Sequence, residues 1–152
     1  MGVGSPDGLI ESIARGIDMF DCTLPTRIAR NGGLFTPEGR INLRGARYRE
    51  QEAPIAKDCD CYTCSKYSSA YLYHLLRSEE LLYHRLATIH NLRFVVRLMK
   101  QAREAILNGY FAEFAADFLG RYQATNEETR LAQKAKWLAA HRHWAESQGK
   151  PR

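Results

Sequence analysis

No apolar run in the 152 residues approaches the roughly 20 needed to cross a bilayer, so no membrane-spanning helix is expected. The opening stretch, Met1 to Gly8, has neither the charged n-region nor the apolar core of a secretory signal, and the expected location is cytoplasmic. Internal repeats and low-complexity segments are absent as well. What remains is 45% hydrophobic and 26% charged residues, the balance of an ordinary globular protein with room for one core.

Acidic residues are scarce in two places. From Arg27 to Arg49 six arginines face one acid, Glu38, and residues 121–152 hold seven basic side chains against three acidic ones. Such concentrations within a net charge of +5 suit a polyanionic partner such as a phosphate backbone, with a solvated basic surface as the alternative.

The chain opens as one α/β unit. Ser5-Pro6-Asp7 starts a helix with Ser5 as N-cap, Leu9, Ile10, Ile13 and Ala14 recur at helical spacing, and Gly16 stops it. Ile17–Phe20 reads as a short strand and Thr23, Pro25 and Thr26 as the turn after it. Asp21 then stands at the carboxyl end of a strand, where α/β folds place catalytic groups. Leu34–Thr36 and Arg40–Leu43 flank Pro37-Glu38-Gly39 as a hairpin, and residues 47–58 read as loop. Beyond the cysteines the pattern is helical. It predicts one helix from about Lys66 to Leu86, a second from near His90 to Gly109, a short third ending by Gly120, and a basic fourth from the capping box Thr125–Glu128 to about Trp144. A lone strand has no sheet to join, which points to a missing remainder supplied elsewhere.

Cys59-Asp60-Cys61-Tyr62-Thr63-Cys64 places three thiols within six residues. With one imidazole they make a closed tetrahedral soft-ligand set for structural zinc, a better explanation than disulfides in a reducing compartment. His74, His84 and His90 compete for the fourth place. His90 is preferred because a helix returning antiparallel would bring it back to the cysteines, and His74 comes second. Cys22 stands apart as a buried spectator thiol, and His141 and His143 decorate the last helix.

Gly16–Cys22, Leu24-Pro25-Thr26-Arg27 and Ala29-Arg30-Asn31-Gly32 resemble the catalytic strand and loop of tRNA-guanine transglycosylases, in their bacterial form. The cysteine group followed by His90-Asn91-Leu92 resembles that family's zinc motif. The likeness runs from Met1 to about Tyr122, and residues 123–152 lie outside it.

The resemblance implies a (β/α)₈ barrel, of which roughly 250 residues are needed and only the last αβ unit is here, with a mainly helical zinc subdomain. It implies segments 1–58 (barrel end with hairpin) and 59–122 (zinc subdomain), and the remaining 123–152 reads from its composition as a basic extension. The implied reaction exchanges guanine at the tRNA wobble position for a 7-deazaguanine, preQ1 or queuine, in queuosine biosynthesis by a homodimer. Asp21 would be the nucleophile. Gly2, Arg27 and Arg30 would bind substrate, and Cys59, Cys61, Cys64 and His90 would hold one Zn²⁺. The aromatic face of Tyr67, Tyr71 and His74 would serve dimerisation or core packing. The base-pocket acids come from upstream strands, so the chain alone is expected to be inactive. The alternative is a non-catalytic zinc-stabilised module for tRNA binding or dimerisation.

Overall fold

A computed structural model describes residues 1–123 of the chain. The predicted basic helix from Thr125 to Trp144, with His141 and His143, lies outside the described residues. The first helix, α1 (Pro6–Ala14), begins as the sequence predicts, with Ser5 as N-cap and Pro6 at the first position, although the Ser5 hydroxyl makes no capping bond. Gly16, at φ 88°, turns the chain out of it. Leu9 and Ile10 are buried, and Ile10 meets Phe118 and Tyr122.

The expected strand Ile17–Phe20 does not form. The segment is irregular, with Ile17 about half exposed and Met19 nearly fully exposed. A strand is defined by its partner, and among the described residues none pairs with this segment: the Ile17 N–H donates back to the Ser12 carbonyl at 3.1 Å, and on the flank the Gly2 N–H donates to the Asp21 carbonyl at 2.8 Å. The expected turn at Thr23–Thr26 is instead the start of helix α2 (Leu24–Arg30), with Thr23 as N-cap. Pro25 sits in the first turn, where its missing N–H costs nothing.

The hairpin is present as β1 (Gly33–Thr36) and β2 (Gly39–Asn42), antiparallel with Thr36 opposite Gly39, so Pro37 and Glu38 form the two-residue tip. Gly39 has a φ of 139°, and a Cβ there would stand 2.3 Å from the Gln123 carbonyl oxygen. That close approach lets the Gln123 N–H donate to the Glu38 carbonyl, at 2.9 Å, and fastens the chain just after Arg121 to the hairpin tip. The loop over 47–58 carries one 3₁₀ turn, Ala46–Tyr48.

The helical part is divided differently from the expectation. The single helix over Lys66–Leu86 is three pieces: α3 (Tyr62–Lys66), α4 (Ser69–Arg77) and the beginning of α5 (Leu81–Leu107). Ser68 ends the first piece by capping the second, its hydroxyl accepting from the Tyr71 N–H at 3.2 Å. Glu79, in the left-handed region at φ 56°, separates α4 from α5. Helix α5 then runs 27 residues, about 40 Å, without a break near His90. Gly109, at φ 76°, releases the chain into α6 (Phe111–Arg121), which continues through Gly120.

Helix α5 is the spine. Its N-terminal half packs on α2, α3, α4 and β1, and α1 and α6 pack on it as well. One buried cluster joins Ala29, Leu34, Leu72, Leu76, Tyr83 and Leu86. A second joins Ile10, Leu98, Ala102 and Phe118. No described helix is long and apolar enough to cross a membrane.

Because Gly39 combines a positive φ with a backbone neighbour that cannot move cheaply, Gly39→Ala should lower stability by about 2 kcal/mol. Gly45→Ala, at φ −63° and with nothing nearer than 3.4 Å, should stay within about 0.5 kcal/mol of the parent. Equilibrium unfolding in urea checks both.

Candidate metal centre

The cysteine segment turns into α3, and its local folding orients the thiols. Cys61 is the N-cap of α3, its Sγ accepting from the Cys64 N–H at 3.2 Å. The Cys59 N–H donates to the Ala56 carbonyl. The Thr63 hydroxyl, fully buried, donates to the Leu86 carbonyl at 2.7 Å and so hooks α3 onto α5 one turn before His90. One turn after His90 the Arg93 guanidinium donates to both carboxylate oxygens of Asp60, and Arg97 donates to the Asp58 carbonyl. This pairing holds the Asp60 carboxyl down at about 2, chiefly through the hydrogen bond from Arg93. Four successive turns of one helix therefore grip the cysteine loop.

His90 is fully buried, and its Nδ1 lies 3.7 Å from Cys59 Sγ, 3.6 Å from Cys61 Sγ and 3.3 Å from Cys64 Sγ. All four ligand atoms fall within 4.8 Å of one another. Ideal tetrahedral zinc, with its usual sulfur and nitrogen bond lengths, puts sulfur and nitrogen about 3.6 Å apart, so the donor set fits this ion. On the far side of the ring Nε2 is 2.7 Å from the Phe35 carbonyl oxygen. A carbonyl only accepts, so Nε2 carries the hydrogen and Nδ1 presents its lone pair to the thiols.

The thiols are mutually coupled. Hydrogen bonds from Cys59 and then Cys64 push the Cys61 thiol well below its ordinary value, and those from Cys59 and then Cys61, with burial, push Cys64 up. Three thiolates this close repel one another unless a cation is shared among them, which is the chemistry of a closed Cys₃His site.

His90 is thus the histidine that joins the cysteines, though not for the expected reason: it lies in the third turn of a continuous helix rather than at the start of a returning one. His74 is exposed on α4, and His84, half-buried on α5, has a buried Nδ1 without a partner; neither belongs to the cluster.

Of the other predicted site residues, Gly2 and Asp21 are in contact just before α2, and Arg27 and Arg30 lie on that helix. Gly2, at φ 87°, donates its N–H to Asp21. The Asp21 side chain is exposed, and Cys22, half-buried rather than buried, donates its thiol to the Gly2 carbonyl at 3.4 Å and accepts from the Leu24 N–H at 3.3 Å. A Cβ on Gly4 would stand 2.6 Å from Cys22, so glycine there allows the two segments to touch. Arg27 and Arg30 are exposed on one side of α2, while Pro25 and Ala29 face inward. Tyr67 and Tyr71 stack at 5.3 Å beside Tyr62, and Tyr71 is exposed. Thr63, Asn91 and Phe35 escaped the sequence reading as site residues, although His90-Asn91 carried a signal in its pairing with the motif.

The zinc-loaded chain should hold one metal ion, exchangeable for cobalt(II) with a tetrahedral d–d spectrum. His90→Ala or Cys61→Ser should lower metal affinity by at least about tenfold. Because thiolates and a neutral imidazole do the binding, affinity should fall as pH falls, with protons released on loading; metal titration at two pH values checks this.

A family model described as Queuine tRNA-ribosyltransferase matches residues 1–124. Relatives called queuine tRNA-ribosyltransferase include one from Dehalococcoides mccartyi (strain BAV1), 56% identical over 91% of this chain and 35% of its own length. Another, from Herpetosiphon aurantiacus, is 57% identical over 89% of this chain and 34% of its own. A third, from Symbiobacterium thermophilum, is 50% identical over 93% and 35%. The chain spans about a third of the length of these curated relatives. Together with a Cys₃His cluster closed by His90, the match across most of the sequence means that this chain belongs to the queuine tRNA-ribosyltransferase family.

Proposed function

We propose that the chain is the C-terminal part of a tRNA-guanine transglycosylase, the enzyme that exchanges wobble guanine for a 7-deazaguanine, preQ1 or queuine. The observation that carries this reading is the contact of Gly2 with Asp21 beside an arginine-bearing helix, in a chain of this family. In the whole protein, residues 1–58 end a (β/α)₈ barrel, residues 59–122 are its zinc subdomain and residues 123–152 extend it. The exposed Ile17–Phe20 segment is then the last barrel strand, awaiting its neighbours.

Asp21 acts as the nucleophile. Its carboxylate attacks the anomeric carbon of the wobble ribose, the glycosidic bond breaks, and guanine leaves with a proton from acidic groups upstream of this chain. The deazaguanine, giving up its proton, displaces Asp21 and restores the original configuration. The target base has to leave the anticodon stack to reach the carboxylate. Gly2 lines the base pocket, where a side chain would take the room of the base. Arg27 and Arg30 bind the phosphates on either side and fix the register of the loop.

Zinc bound by Cys59, Cys61, Cys64 and His90 supplies a cross-link and takes no part in the reaction. Tyr67 and Tyr71 offer a stacked, partly exposed face for a second subunit, in keeping with a homodimer. A cytoplasmic location follows from a tRNA substrate.

Alone, the chain lacks the groups that hold the base and should give no measurable exchange. Combined with the N-terminal two-thirds of a relative, it should incorporate labelled guanine into unmodified tRNA. Asp21→Asn should lower that rate by at least about 10³-fold without loss of zinc. Exchange that survives Asp21→Asn would remove the nucleophile assignment. Tight tRNA binding without exchange in any combination would favour a non-catalytic module.

A further inference from the structure

Helix α2 carries Arg27 and Arg30, yet it has only seven residues and is too short to hold its own shape in water. Two side chains of α5 reach it. The Asn91 side chain is fully buried, with both N–H donors and its oxygen engaged. Its Nδ2 donates to the Pro25 carbonyl at 2.9 Å and to the Gly33 carbonyl at 3.0 Å, while its Oδ1 accepts from the Phe35 N–H at 3.0 Å. The Tyr83 hydroxyl, also buried, donates to the Ala29 carbonyl at 2.9 Å. Pro25 and Ala29 are one turn apart on the inward side of α2, so the two bonds fix both its rotation and its position along α5. Fixing that side fixes the opposite one, where Arg27 and Arg30 are exposed.

We propose that Asn91 and Tyr83 are positioning residues that hold α2 so that Arg27 and Arg30 meet an RNA phosphate backbone in one orientation. The inference rests on the reading of these arginines as RNA-binding groups. Neither positioning residue touches RNA. They act by removing the freedom that α2 would otherwise lose on binding, the general gain from preorganisation. Asparagine suits the place in a way aspartate cannot, since a carboxylate accepts from Phe35 but has nothing to donate to Pro25 or Gly33.

The test uses the zinc-loaded full chain and an anticodon stem-loop RNA. Tyr83→Phe removes one bond and little volume, and Asn91→Asp removes two. Hydrogen exchange should speed up about tenfold in residues 24–30 for Tyr83→Phe, and more for Asn91→Asp. Exchange in α6 should be unchanged and zinc content should remain at one ion. Arg27→Ala should weaken RNA binding in the parent chain and have a smaller effect in the Tyr83→Phe background, because an arginine that is no longer held contributes less. Equal effects of Arg27→Ala in both backgrounds, or unchanged exchange in α2, would overturn the positioning role. If Asn91→Asp fails to fold, Tyr83→Phe carries the same decision alone. If Arg27→Ala and Arg30→Ala leave RNA binding unchanged in the parent, the RNA reading itself fails, whatever the exchange data show.

Discussion

Both nitrogens of one buried imidazole are committed. His90 gives the hydrogen on Nε2 to the Phe35 carbonyl and turns the lone pair of Nδ1 toward three cysteine sulfurs. Each bond selects the other: a ring that donates through Nε2 has a free Nδ1, and a ring whose Nδ1 faces a metal keeps its hydrogen on Nε2. The hairpin, the long helix and the cysteine loop consequently meet at a single side chain. Removing any one of them leaves a buried polar atom without a partner, at a cost of about 1–3 kcal/mol.

The residue next in sequence extends this constraint. Asn91 takes the N–H of the same Phe35 whose carbonyl His90 binds, and it also reaches Pro25. Two neighbouring side chains on α5 thus read both backbone groups of one strand residue, and Asn91 also sets where the first turn of α2, just after Asp21, lies. A metal held by Cys59, Cys61, Cys64 and His90 would then bear on the segment that carries Asp21, the proposed nucleophile, through the neighbouring Asn91. The apolar clusters supply the bulk of the burial on either side of this point, around Leu34 and Leu86 and around Ile10 and Phe118.

Much of this was legible in the sequence because short, strong local signals carry it. Three cysteines in six residues announce a metal site, Pro37-Glu38-Gly39 announces a reversal, and Ser5-Pro6 announces a helix start. What could not be read locally depends on partners. Ile17–Phe20 has strand composition but no strand beside it, and it stays irregular. The helix boundaries after the cysteines were misread because Leu82 and Leu86 continue the apolar pattern across Ser78-Glu79-Glu80, while the break comes from backbone conformation at Glu79. His90 was preferred because a helix returning antiparallel would bring it back to the cysteines, yet its position comes from a continuous α5 and from Phe35, 55 residues away.

The most direct test of this arrangement is the protonation of the His90 ring, read by long-range proton–nitrogen NMR on the zinc-loaded chain. The arrangement requires a hydrogen on Nε2 that exchanges slowly with solvent and a metal-shifted Nδ1. A hydrogen on Nδ1, or an Nε2 hydrogen exchanging as fast as that of an exposed histidine, would contradict it.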